Sequence, residues 1–241
     1  VTAFVRGHLA AGTGEGSAFS LQQLGQLLSL AQSGMVQLFT RQVQALGEQA
    51  QVIGQQQTLV LASNNQHKLR ELRAFLGDRY RLISMQEAGF DGDIQETGNT
   101  FAENALIKAK AVCDRTGYAA LADDSGLMVD ALQGAPGVHS ARYAGQHGDD
   151  AANNALLIEK LKEVPAPRTA QFVSAVALAS PFLPPRLFEG VCPGTITFEP
   201  RGTGGFGYDP YFEYENGLTF AEMSDEQKAQ VSHRARAMKK L

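Results

Sequence analysis

The chain has 241 residues, 44% of them hydrophobic, and a formal net charge of −4 with a pI near 5.8. Such a chain can bury a real core, carries too little charge for bulk disorder, and lacks the basic surface of a general nucleic-acid binder. No run approaches the ~18 apolar residues of a membrane span and nothing at the start reads as a signal peptide, so a soluble, cytoplasmic protein without a membrane partner is expected. Cys113 and Cys192 lie in apolar segments without metal spacing and read as two buried free thiols.

The first stretch predicts a strand, a glycine turn at Gly12-Thr-Gly-Glu-Gly16, and an amphipathic helix capped by Ser20. Leu21, Leu24, Leu27/Leu28, Ala31, Met35, Leu38 and Phe39 fall near helical spacing. The glycine turn lacks the lysine and the spacing of a phosphate loop. Phe4 to about Leu46 resembles the C-terminal tail of ribonuclease PH, without that enzyme's upstream phosphate-binding and catalytic parts. The resemblance implies a remnant of a fused or neighbouring reading frame, without phosphorolytic activity, and an opening on Val1 rather than Met fits a truncated or mis-started product. The glutamine-rich stretch Gln49 to Gln57 reads as a linker, giving an extension at 1–57 and a domain at 58–241.

Thr58 to Ala62 is a short β-prone run, followed at once by Ser63-Asn64-Asn65-Gln66-His67-Lys68. A helix follows with Leu69, Leu72, Phe75 and Leu76 on one face and Arg70, Glu71 and Arg73 off it. Strand, polar turn and helix start make either an anion site of free amides or an ordinary capped turn; Lys68 in the first turn suits a phosphate better than it suits the helix dipole. Thr100 with Glu103 predicts a capping box, and Phe101, Ala105, Ala109 and Val112 a buried stripe. Lys108 and Lys110 on that helix read as surface charges, with Lys108 the one that could face a ligand.

Ala119 to Ala122 reads as a short buried strand ending in Asp123-Asp124-Ser125-Gly126. Adjacent carboxylates repel each other and are costly when buried without a cation, and an oxygen-only set suits Mg²⁺, with Glu96 as a further donor. A solvated acidic turn is the competing reading. Asp150 to Val164 is a predicted helix and Thr169 to Ala179 a strand, with shorter strands at Leu187–Val191 and Thr195–Phe198. Gly202 to Pro210 is a glycine loop whose Phe206, Gly207, Tyr208 and Asp209 could frame a flat base, or simply turn the chain. Ser224 with Gln227 begins the last helical region, and Ser232 caps a second helix that places His233 and Arg234 in its first turn, facing outward.

Five blocks in order, LASNNQHKLREL, ETGNTFAENALIKAKA, ADDSGLMVDALQGAPGVHSARYAG, GTGGFGYDPYF and EMSDEQKAQVSHRARA, resemble the inosine triphosphate pyrophosphatase (Ham1-like) family over residues 58–241. The resemblance implies an elongated, two-lobed α/β domain with a central twisted mixed sheet, and a homodimer. It also implies hydrolysis of non-standard purine nucleoside triphosphates (ITP, dITP, XTP) to monophosphate and pyrophosphate. By that resemblance Ser63, Asn64, Asn65, Gln66, His67 and Lys68 form the triphosphate loop, Glu96, Asp124 and Asp123 lie at Mg²⁺, and Asp124 is the catalytic base. Ser125 and Lys108 touch the nucleotide; Phe206, Gly207, Tyr208, Asp209, Lys228, His233 and Arg234 form the base pocket. The first loop reads Ser-Asn-Asn where Thr-Gly-Asn is common, a change that asparagine's tolerance of positive φ would absorb. The rival readings are a Maf-like pyrophosphatase for other modified nucleotides, a non-catalytic nucleotide-binding protein, and an RNA-processing module through the N-terminal tail.

Overall fold

The structure, a computed structural model, describes residues 20–46 and 57–241. The chain divides into two compact units, 1–55 and 56–241. In the first, helix α1 spans Leu21–Leu46. Ser20 and Gln23 cap it reciprocally: Gln23 N donates to Ser20 Oγ and Ser20 N to Gln23 Oε1. Its half-buried positions Leu24, Leu28, Ala31 and Met35 form one stripe, while Leu27, Leu30, Val36 and Leu38 are exposed. The strand and glycine turn expected before Ser20, and the linker up to residue 56, lie outside the described residues; Gln57 opens a strand. Among the described residues no helix is long and apolar enough to cross a membrane.

The second unit runs β1 (Gln57–Leu61), α2 (Gln66–Leu76), β2 (Tyr80–Ser84), α3 (Phe101–Thr116) and β3 (Ala119–Val129). It continues with α4 (Asp150–Leu161), β4 (Thr169–Ser180), β5 (Leu183–Ile196), β6 (Phe212–Glu213), α5 (Asp225–Val231) and α6 (His233–Met238). The six strands form one sheet in the order β2-β1-β3-β4-β5-β6. β1 is parallel to β2 and to β3, each reached by a crossover that carries a helix, and β3 to β6 are antiparallel neighbours. The expected mixed α/β sheet is the one observed.

Three apolar clusters hold the fold. Val60, Ala105, Ala109, Val112, Ala120, Ala122 and Ala177 join α3 to one face of the sheet, with small side chains that let the helix lie close. Leu59, Leu69, Leu72, Leu121, Phe188 and Met238 join α2 and α6 to the other face. Leu127, Leu157, Phe172, Tyr208, Phe212 and Phe220 form a second lobe around the far halves of β3, β4 and β5. Successive residues of a strand point to opposite faces, so on β3 Ala120 and Ala122 serve α3 while Leu121 serves α2 and α6.

Two elements differ from expectation. β3 does not stop at Ala122 but continues through the acidic pair to Val129, because β4 pairs with it residue by residue from Ala120 to Val129. The two short strands expected after Pro185 are one, β5, despite Pro184, Pro185, Gly190, Pro193 and Gly194. β5 bonds β6 only at Thr195 and Ile196, so most of its outer edge has no ladder for a proline to break. At Gly190 a Cβ would lie 2.0 Å from the His233 carbonyl oxygen, and its absence lets α6 ride directly on the strand.

Candidate active site

The alternation of β3 divides the acidic pair. Asp123 takes the Leu121 face, toward α2 and α6, and is fully buried. Its carboxylate accepts from Lys68 Nζ at 2.7 Å, Ser174 Oγ at 2.6 Å, Ser125 Oγ at 3.0 Å and Arg234 Nη2 at 3.1 Å. Burial alone would raise this carboxyl; Arg234, Lys68 and the bonds from Lys68 and Ser174 outweigh burial and hold it well below the ordinary range. The Asp123 carboxylate is thus occupied by four protein donors.

Asp124 takes the Ala120 and Ala122 face, toward α3. Lys108, expected at the surface or at a ligand, falls on the buried stripe of α3, whereas Lys110 is exposed. Lys108 Nζ donates to Asp124 Oδ1 at 2.8 Å, to Glu96 Oε1 at 3.2 Å and to the Asp123 carbonyl at 3.2 Å, which uses all three ammonium hydrogens. Burial would lower the Lys108 pKa, but Asp124 and Glu96 raise it. The Asp124 carboxyl is also pushed up, by burial and by Glu96, against the opposing pull of Lys108. Its Oδ2 is buried without a partner.

On the opposite side, Lys68 Nζ reaches the same Asp123 carbonyl at 3.1 Å. Two ammonium groups, one from α2 and one from α3, therefore meet at a single peptide oxygen. Burial lowers the Lys68 pKa; Asp123 opposes that, and Lys108 and Arg234 add to it. Lys68 spends donors on Asp123 only, so one remains for a ligand. The loop before α2 needs no positive φ, contrary to expectation: Gln133 alone among the described non-glycine residues has one. Asn65 instead caps α2, with Oδ1 accepting from His67 N and Lys68 N, and Ser63 Oγ accepts from Asn65 N. These amides are engaged rather than free, while the side chains of Asn64 and Gln66 are exposed.

A cavity of about 680 Å³ lies between α2 and the α5–α6 segment, and its lining includes His67, Glu71, Phe206, Lys228 and Arg234. The His67 and Phe206 rings stack at 5.2 Å, and Lys228 Nζ lies 4.8 Å from the Phe206 centroid. Lys228 Nζ also donates to Asp209 Oδ2 at 2.6 Å, which in turn accepts from Phe206 N at 2.8 Å. Burial raises the Asp209 carboxyl more than Lys228 lowers it. Tyr208 does not line the cavity: its ring belongs to the second-lobe core and its hydroxyl donates to the Ser140 carbonyl at 2.8 Å.

His233 and Arg234 face inward, not outward as expected, and are 6% and 3% exposed. The cost of a cation at a helix start is offset because Arg234 Nη1 meets Glu71 while Nη2 meets Asp123 and Ser125. These partners raise the Arg234 pKa despite burial. His233 stacks on Phe172 at 4.8 Å, and burial and Arg234 push its pKa well below the ordinary value. Asp124 Oδ2, His233 Nδ1 and Arg234 Nε are all buried without a partner. Asp124 Oδ2 lies on the α3 face of β3 and the other two atoms on α6 at its opposite face, each left for a ligand's polar group to satisfy.

Glu71, placed off the helix face by its sequence, is a residue missed: it bridges Arg234 and Lys228, the latter at 3.7 Å. Ser174 is another, and its signal was present, since it is a lone hydroxyl inside the apolar run of β4. Cys113 and Cys192 are free and buried, as expected.

Fold and site together define an α/β protein whose cleft gathers cations and an aromatic at one end, with paired lysines and a carboxylate pair on the strand behind. The sequence model of the Ham1 family matches residues 59–241, and the chain belongs to that family. It is 52% identical over 188 residues to the dITP/XTP pyrophosphatase of Xylella fastidiosa (strain Temecula1), a match covering 76% of this chain and 94% of that protein. The structure of the Staphylococcus aureus Ham1 protein superposes with a TM-score of 0.70 at 41% identity, covering 76% of this chain and 95% of that one. A Ham1 protein from Coxiella burnetii gives a TM-score of 0.70 at 42% identity, with the same coverage.

Proposed function

We propose that the chain hydrolyses non-standard purine nucleoside triphosphates (ITP, dITP and XTP) to the monophosphate and pyrophosphate, and so cleanses the nucleotide pool. The observation that carries this is the pair of lysines, Lys68 from α2 and Lys108 from α3, that meet at the Asp123 carbonyl beside the two carboxylates. Asp124 Oδ2 on one side of that junction and Arg234 Nε on the other, the latter on a residue that lines the Phe206 cavity, are buried without a protein partner.

We assign a divalent cation, Mg²⁺, to Glu96 and Asp124. The donor set fits it. Among the described residues no three His, Cys, Asp or Glu gather at metal spacing, but Mg²⁺ commonly takes one or two carboxylates and fills its shell with water and phosphate oxygens. Asp124 Oδ2 has no protein partner, and Lys108 now neutralises the carboxylate pair. When bound, the ion supplies charge stabilisation at the phosphates. Asp124 is the catalytic base and takes a proton from the water that attacks the α-phosphorus; the bond from that phosphorus to the oxygen bridging to the β-phosphorus breaks and pyrophosphate leaves. Lys68, with its spare donor, and Lys108 offset charge on the leaving group.

Ser63 to Lys68 face the phosphates, Ser125 the sugar-phosphate side, and Phe206 carries the base, with Gly207, Asp209, Lys228, His233 and Arg234 around it. A 6-oxo purine brings an acceptor to the Arg234 Nε donor, which has no acceptor in the protein. Adenine's 6-amino group leaves that donor unpaired, a mismatch in the class that rejects analogues by roughly 10⁴. Residues 58–241 are the working domain, acting as a cytoplasmic homodimer, with 1–57 an appendage. The test is pyrophosphate release with Mg²⁺ from ITP, XTP, dITP, GTP, ATP, CTP and UTP, with orthophosphate assayed in parallel. Pyrophosphate from the first three and little from the rest is expected, GTP, whose base is also 6-oxo, being excluded through its 2-amino group; equal turnover of ATP would sink the base reading. A variant beginning at Thr58 keeps turnover and fold, and loss of either would make the appendage part of the enzyme.

A further inference from the structure

The loop that presents Phe206 is held from a helix outside the site. α4 begins with two adjacent aspartates and carries two adjacent asparagines one turn later. The first of each pair serves its own neighbourhood. Asp149 caps the helix by accepting from Ala152 N at 2.9 Å, and buried Asn153 accepts from Ala144 N at 2.8 Å in the preceding segment. The second of each pair, Asp150 and Asn154, stands four residues apart on one helix face and reaches across to Gly207. Gly207 N donates to Asp150 Oδ2 at 2.8 Å, and Asn154 Nδ2 donates to the Gly207 carbonyl at 2.9 Å.

Gly207 has φ +62°, yet a Cβ there would meet nothing within 4 Å. The glycine therefore answers to backbone conformation and not to crowding, and the pair of bonds from α4 holds its N–H and carbonyl beside the turn that Asp209 closes on Phe206. The peptide bonded by Asp150 is attached directly to the Phe206 Cα. Asn154 spends its amide on this contact while its Oδ1 is buried without a partner, so the side chain is not placed to satisfy itself.

We propose that Asp150 and Asn154 are positioning residues for the nucleobase: by clamping the N–H and the carbonyl of Gly207, they fix the Phe206 ring at the angle at which it receives a purine. This rests on the reading of Phe206 as the base platform. The remaining anchors of the loop, Tyr208 on Ser140 and Asp209 on Lys228 and on the Phe206 N–H, keep the loop folded when the clamp is gone.

The test uses the full chain with Asp150→Ala, Asn154→Ala, the double variant, Asp150→Asn and Phe206→Ala, measuring kcat and KM for ITP and for ATP and the thermal midpoint. For the double variant, KM for ITP should rise about tenfold with kcat within about twofold, and the preference for ITP over ATP should fall about tenfold, the pattern of lost positioning rather than lost chemistry. Asp150→Asn, which keeps an acceptor, should behave as the parent protein. A raised KM in Phe206→Ala with an unchanged KM and preference in the double variant would overturn the clamp alone. An unchanged KM in Phe206→Ala would overturn the platform and the clamp with it. A fall in kcat at constant KM, with a lowered thermal midpoint, would make the two residues structural and also overturn the proposal. Asn154→Ala by itself, at a half-buried position, gives the same reading on a smaller scale if the double variant fails to fold.

Discussion

The two faces of β3 treat neighbouring carboxylates in opposite ways. On the α2 and α6 face, Asp123 accepts from four side chains, is fully buried and is held ionised. On the α3 face, Asp124 has one oxygen on Lys108, the other without a partner, and a raised pKa. A carboxylate whose lone pairs are spent on the protein is a structural centre, and one with a free oxygen beside a cation is available for chemistry. One residue of offset along a strand separates the two roles.

The largest expected effect tests that division directly. Asp124→Asn should lower kcat for ITP by about 10³-fold while the protein still unfolds at its parent denaturant midpoint. Asp123→Asn should do the reverse in kind, costing about 3–5 kcal/mol of stability, because Lys68 and Arg234 are left buried beside a neutral amide. Urea unfolding measures it. If Asp123→Asn were fully stable and inactive, the roles would be exchanged.

Acid titration sharpens the same contrast. His233 lies on the Asp123 side and has a folded-state pKa well below its unfolded value, because burial and Arg234 disfavour the imidazolium. The unfolded chain then binds the proton first, so this contribution is fully favourable above about pH 6.5 and declines as pH falls below it, by up to ~1.4 kcal/mol per pH unit. His233→Phe should flatten the stability profile between about pH 6.5 and 5; an unchanged slope would place the imidazole in contact with water. The smallest effect belongs to Glu71. Glu71→Gln should raise KM for ITP about fivefold with kcat little changed, the size of one weakened charge-assisted bond to Arg234. A wild-type KM would show that Asp123 and Ser125 orient Arg234 unaided.

Much of the architecture is legible locally. Ser20, Thr100, Ser224 and Ser232 each mark a helix start that the structure retains, since a cap needs only its next three residues. β5 was not legible as one strand, because its prolines and glycines are breakers unless the outer edge is unpaired and a helix lies against Gly190. Within the site, the acidic pair, the lysines and the aromatic loop stand out by residue type, but their partners do not. Tyr208 looks like a second base contact and belongs to the core; Glu71 looks like surface and bridges two cations.

The sequence by itself determined the residue inventory, the order of strand, turn and helix, and the family, because caps, periodicity and motif order are properties of short stretches of chain. Tertiary structure alone decided which face Asp123 and Asp124 take, that Lys108 and Arg234 point inward, and that Asp150 and Asn154 hold Gly207. Those facts depend on contacts such as Glu71 with Arg234, 163 positions apart, and Asn154 with Gly207, 53 apart. A charged side chain settles its direction only when a partner of opposite charge or a polar backbone group is brought within reach, and it is the packing of the sheet against α3, α2 and α6 that brings it.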